Sequence, residues 1–287
     1  MAGDIGPNIT EIPDELEKVV AAQLISSGLV TDAHTLSADA RTLLDPLFSY
    51  DSAYSAVLLL HNQRQPVSIE IDEQWAEYVA DSVRAASTPR VYILVAASGA
   101  TVTTALRAGD HIDVTQSTAT DTFENTAAQN LLALADPEKS WSPAQISAVS
   151  FPAHLLDRAP LRPPTPGRSN AQAEADHKET VFRFISALRD SGVSSRTVAA
   201  VEKLLRLDHI AAMHVAYISG PHRMLSEGSA SIDYFHEAGV AVGGLQLAAD
   251  GRKWKTLAPA TQSEVATALR ELKRLPSRPM HHALNTL

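Results

Sequence analysis

Apolar residues along this chain fall into two periods, and the same succession of periods runs through it twice. From Pro13, "PDELEKVVAAQLISSGLV" places Leu16, Val20 and Leu24 on one face of a predicted helix, with Gly28 as its stop. From His177, "HKETVFRFISALRDSGVS" repeats the device, with Val181, Phe184, Ile185 and Leu188 at helical spacing and Gly192 as the stop. A helix bearing a Leu-Leu pair follows each, Leu43-Leu44 and Leu204-Leu205. Strand-like runs come next, "SAYSAVLLLH" from Ser52 and "HIAAMHVAYIS" from His209, and then β-branched and aromatic runs broken by glycine, the pattern of antiparallel meanders. Each series closes with a helix, carrying Leu131 and Leu134 in one and Leu269 and Leu272 in the other.

The spacing between matching positions shrinks from 164 residues (Gly28 to Gly192) to 138 (Leu131 to Leu269). The second series is therefore the shorter version, and residues 65–88 have no counterpart in it. Between the two lies "DRAPLRPPTPGRSNAQAEADHK", whose four prolines and polar remainder predict an exposed linker over 157–178. The expected organisation is an N-terminal half over 1–156, the linker, and a C-terminal half over 179–287. Each half supplies helices to only one side of its strands, so two such halves are expected to join edge to edge into one sheet.

The closing helix of the second half is well specified. Thr261 and Glu264 form a capping box, and Val265, Leu269 and Leu272 make one apolar stripe. Trp254 on the preceding strand is expected to pack beneath that stripe, where truncation to alanine would cost about 3–5 kcal/mol.

Composition narrows the function. The chain has 287 residues, 45% hydrophobic, and no cysteine, which excludes disulfides, thiol nucleophiles and cysteine zinc sites. No apolar run approaches the roughly 20 residues of a membrane span, and the first residues lack the pattern of a secretory leader. A net charge of −9 argues against binding nucleic acid by counterion release. Yet residues 252–278 hold seven basic and two acidic side chains, either a solvated helix face or a surface for an acidic partner segment.

No catalytic or cofactor pattern emerges. Neither phosphate-loop pattern is present; "AGVAVGG" at 238–244 reads as a strand with a bulge at Gly243-Gly244. "EGSAS" at 227–231 fails the G-x-S-x-G pattern at both ends and reads as a hairpin loop. Eleven histidines include no H-E-x-x-H; His209 and His214 are an odd number apart in a strand, His281-His282 sit in the tail, and His222 with His236 lack an acid. No metal or cofactor is expected, and a binding protein is favoured over an enzyme.

Three stretches resemble EspG proteins. "AAQLISSGLVTDAHTLSADARTLLDPL" looks like the family's opening, "SWSPAQISAVSFPAHLL" like its Ser-Val-x-x-Pro segment, and "IDYFHEAGVAVGGLQLAADGRKWKTLAPATQSEVATALREL" like its closing run. The chain departs from the family in starting almost directly at the helix and in having Gly243-Gly244 where Gly-Arg is usual, which marks a divergent member. The resemblance implies an α+β fold: a quasi-twofold central antiparallel β-sheet flanked by two α-helical bundles, built from two similar halves. It implies a cytosolic chaperone of actinobacterial type VII (ESX) secretion. Such a chaperone covers the apolar tip of a PE–PPE heterodimer, keeps it soluble and routes it for export. A non-PPE secreted client is the alternative.

The partner-binding candidates are Tyr217, Met224, Leu225, Tyr234, Phe235, Leu245 and Leu247. The Met224-Leu225 pair, in an expected loop over 220–230, is the foremost exposed contact. Partners of other classes, nucleic acid and membrane, are not expected; a monomer and a weak dimer both remain open.

Overall fold

The computed structural model describes residues 25–26, 28, 30–32, 35–60, 90–108, 111–119, 121–155, 170–205, 209–220, 222–235 and 238–279. The first predicted helix with Leu16, Val20 and Leu24, the unmatched stretch 65–88, Gly109, His236 and His281-His282 fall outside these residues.

Along the chain run β1 (Val30–Asp32), β2 (Thr35–Leu36), helix α1 (Ala38–Phe48), β3 (Ser52–Leu60), β4 (Arg90–Ser98), β5 (Thr101–Ala108), β6 (His111–Thr118), α2 (Phe123–Ala135) and β7 (Val149–Pro152). There follow α3 (Asn170–Asp190), α4 (Ser195–Leu205), β8 (His209–Ser219), β9 (Met224–Ser226), β10 (Ala230–Phe235), β11 (Gly239–Leu247), β12 (Lys253–Pro259), α5 (Gln262–Leu272) and β13 (Ser277–Pro279).

One sheet gathers all the described strands except the β1–β2 pair, in the order β6-β5-β4-β3-β8-β10-β11-β12-β7, with β9 and β13 branching from β8. Read outward from the central β3–β8 pairing, each direction is a meander that ends in a closing helix, α2 on one side and α5 on the other. The β3–β8 ladder is antiparallel and unbroken from Ser52↔Ser219 to Leu60↔Ala211. This is the edge-to-edge joining that the repeated pattern predicts, because each meander leaves its first strand unpaired unless the other half supplies a neighbour.

Local signals explain the element ends. Gly28 and Gly192 both take φ of +75°, the left-handed turn that stops a helix, and their amides bond back to Ile25 and Arg189. Thr122 and Thr261 cap α2 and α5, each hydroxyl accepting from the amide three residues on. Residues 170–178, expected as the end of the linker, form the first turns of α3 instead. Alanine at 171, 173 and 175, with Gln172 and Glu174, favours helix despite the absence of large apolar residues.

The sheet has two faces. On the first, α2 and α5 pack together over Tyr54, Ile93, Val95, Met213, Val215, Ile232, Val242 and Ala258. On the second, α1 lies toward β4–β6, while α3 and α4 cover Val149, Phe151 and Leu257 near the far edge.

Three expectations need correction. Gly243 and Gly244 form no bulge; Gly243 is in register with Ser231 of β10 and Leu257 of β12, and Gly244 with Thr256 of β12. Gly244 instead lets α5 come close, since a Cβ there would lie 3.2 Å from the Ala268 Cβ. Trp254 is half-buried, paired in register with Gln246 and Pro152, whereas the stripe of α5 sits over β11. The helix can descend there because Gly244 presents no side chain. Met224 and Leu225 are strand, not loop, held between β8 and β13.

Residues 141–155, which precede the proline-rich stretch, are seated on strands that follow it. β7 pairs with β12, and Ala144 and Val240 are joined by a 2.7 Å amide–carbonyl bond. Gly239 makes this possible: its φ is +85°, and a Cβ would come 2.3 Å from the Ser142 carbonyl oxygen.

Candidate protein-interaction surface

The predicted contact residues do not share one surface. Tyr217 faces the α2–α5 side, half-buried, with the Lys273 Nζ 5.8 Å above its ring. Tyr234 and Phe235 are core residues at 3% and 4% exposure. Tyr234 packs edge-on against Trp141, and Phe235 packs with Leu204 on the opposite face. An apolar residue read from sequence as a contact is here an interior one, because both faces of β10 are covered at its far end. Leu225 is half-buried against Ala53, Ala96 and Ile218, and Met224 is half-buried beside it in β9. Leu245 is half-buried opposite Lys255. Of the seven, only Leu247 is exposed, at 37%, where β11 ends beside Lys253.

The second face is the more open one at the middle of the sheet. Register aligns Tyr92, Val57, His214, Ser231, Gly243 and Leu257 in a row across six strands. His214 is exposed; Ser231, Asp233 and Lys255 are half-buried. The Ser231 hydroxyl donates to the Asp233 carboxylate at 2.8 Å. Lys255 reaches over Gly243: a Cβ on that glycine would lie 3.0 Å from its Nζ and 2.6 Å from the Ser231 Oγ. Burial pushes the Lys255 ammonium below the ordinary lysine range, against the opposing pull of Asp233.

Sequence reasoning passed over these polar residues. The signal is nonetheless present in "SIDYF", where Ser231 and Asp233 alternate with Ile232 and Tyr234. A strand covered on both faces reads apolar throughout, so that alternation marks a face that is not fully packed.

The basic run over 252–278 does not form one patch. Arg252 pairs with Asp250, Arg274 with Glu271, and Lys273 with Glu124, while Lys255 is on the second face. A groove of about 430 Å³ between α4 and residues 145–149 is lined by Arg196 and Lys203 and by none of the candidates. Among the described residues no three histidine, aspartate or glutamate side chains gather as a metal site, and no helix is long and apolar enough to cross a membrane.

The EspG family model matches residues 6–271. Among solved structures, the Mycobacterium tuberculosis type VII secretion system chaperone EspG5, in complex with a PE25–PPE41 dimer, shares the fold. Its TM-score is 0.61 at 20% identity, over 89% of this chain and 84% of that one. No curated protein matches.

Proposed function

The chain belongs to the EspG family, and we propose that it acts as a cytosolic chaperone of type VII secretion. In this reading it covers the apolar tip of a PE–PPE heterodimer, keeps that dimer soluble and delivers it for export. The observation that carries the reading is the part-open middle of the second face across β8, β10, β11 and β12, with Leu247 at its rim and His214 exposed at its centre. A sheet face left partly unpacked inside a family of secretion chaperones is a ready platform for an apolar partner. The solved EspG5 complex with PE25–PPE41 supports a client of that class.

The role is binding, with no chemical step. Leu247 supplies the exposed apolar contact, Leu245 and Leu225 lie half-buried behind it, and Met224, Tyr217, Tyr234 and Phe235 hold the strands that present it. An interface of ordinary size would bury roughly 1,200–2,000 Å² in total.

Co-expression with a panel of PE–PPE pairs, followed by pull-down and size exclusion, tests this. One copy of the protein is expected to elute with one heterodimer. Capture of a different secreted pair, with every PE–PPE pair refused, would replace the client and leave the chaperone role.

A further inference from the structure

Lys255 is the anomaly of the second face. Lys255 is half-buried, and no hydrogen bond or ion pair to its ammonium forms among the described residues. Asp233 is near enough to act on it electrostatically but is engaged by the Ser231 hydroxyl. A lysine on a well-solvated strand would extend into water; this one lies across the floor that Gly243 leaves bare. Desolvating a charged donor without a partner is costly, so Lys255 gains from a partner that reaches it on this face.

The chemistry of that partner follows from the pair. Lys255 offers donors only, and Asp233 offers acceptors only. Together they carry no net charge, so a client carboxylate would gain from one and be repelled by the other. A neutral group with a donor and an acceptor side by side fits both. The amides at the turn of a protein tip have this form, because the backbone N–H and C=O groups where a chain reverses lack internal partners. An apolar tip pressed on this face would otherwise strand those groups away from water.

We propose that Lys255 and Asp233 form the polar anchor of the client site, Lys255 donating to a carbonyl and Asp233 accepting from an N–H at the neutral turn of the client's apolar tip. Ser231 holds Asp233, and Gly243, bearing no side chain, leaves the space in which the Lys255 ammonium lies. This rests on the chaperone reading above and assigns the polar part of its specificity.

The test uses the full chain and the PE–PPE heterodimer captured by co-expression, with affinity measured calorimetrically beside a melting curve. Lys255→Met keeps the apolar stem and removes the donor; Asp233→Asn keeps the shape and removes the charge. Lys255→Met is expected to weaken binding about tenfold or more, the loss expected for a stranded buried polar group, without lowering the melting temperature. Asp233→Asn is expected to weaken it in the same direction and reports on the anchor should Lys255→Met fail to fold. A loss below about threefold in whichever variant folds, while Leu247→Asp still abolishes capture, would overturn the anchor and leave the chaperone reading intact. Failure of the unaltered protein to bind any PE–PPE pair would overturn both.

Discussion

Tyr54 and Tyr217 stand directly opposite each other across the β3–β8 pairing, ring centroids 5.5 Å apart, at the point where the two halves of the sheet meet. Phe123 of α2 stacks on Tyr54 at 5.2 Å, and the Tyr54 hydroxyl donates to the Leu269 carbonyl of α5 at 3.1 Å. One side chain thus ties the first half's strand to both closing helices, its hydroxyl satisfied deep in the core. Tyr54→Phe is expected to cost about 0.5–1.5 kcal/mol, the net worth of one such bond, measured by urea unfolding. Tyr54→Ala is expected to cost about 3–5 kcal/mol, because the cavity opens beneath both helices.

Tyr234 is the opposite case. It is equally interior, yet its hydroxyl finds no partner among the described residues. Removing that oxygen leaves the ring's packing on Trp141 in place. Tyr234→Phe is therefore expected to be neutral or to stabilise by up to about 1–2 kcal/mol, seen as an unchanged or raised melting temperature.

Glu124 and Lys273 join α2 to α5 through a 2.7 Å hydrogen-bonded ion pair, the glutamate side chain 8% exposed and the lysine 39%. Burial pushes the Glu124 carboxyl up. The hydrogen bond from Lys273, its own backbone amide and the charges of Lys273 and Arg270 outweigh that and hold it below the ordinary range. A depressed folded-state value means the stabilisation is present above the unfolded value near 4.3 and is lost as pH falls through the folded one. Urea midpoints measured from pH 7 down to 3 are expected to fall more steeply for the unaltered protein than for Glu124→Gln, the two converging at the acid end. Lys273→Met at neutral pH is expected to cost about 1–3 kcal/mol, since it strands a buried carboxylate.

Two glycines hold close approaches. Gly239→Ala would press a methyl group toward the Ser142 carbonyl in a left-handed backbone, and Gly244→Val would press on Ala268 of α5. Each is expected to destabilise by about 1–3 kcal/mol, the usual range for overpacking, with chemical denaturation as the readout. Gly244→Val additionally should loosen α5, seen as faster hydrogen exchange at Leu269 and Leu272.

Contact variants divide by burial. Leu247→Asp is expected to abolish client capture and leave melting unchanged. Leu225→Asp introduces a charge against Ala53, Ala96 and Ile218, so it is expected to lower the melting temperature as well, and only Leu247 reports on binding alone. A Leu247→Asp protein that still captured its heterodimer would remove Leu247 from the interface.

What could be read from the residues is what depends on near neighbours. The periods of Val181 to Leu188 and of Val265 to Leu272, the stops at Gly28 and Gly192, the Thr261 cap and the order of strands in each half are short-range properties. Their repetition predicted one sheet built by two halves. Gly243-Gly244 looked like a bulge, because a glycine pair in a strand has the same local signature whether it bends the strand or admits a helix.

The choice of face was decided only by the assembled sheet. Strand alternation makes Tyr217 and His214 equivalent in sequence, one for each side, and nothing local says which side α2 and α5 will cover. Once those helices close over Tyr54 and Tyr217, Tyr234 becomes interior, and Ser231, Asp233 and Lys255 are left on the more open floor. Glu124 and Lys273 are 149 residues apart in the chain and meet only because the closing helices pack side by side. Periodicity is a local property and determined the elements; the pairing of β3 with β8 is a long-range one, and it determined which side chains became core and which remained available to a partner.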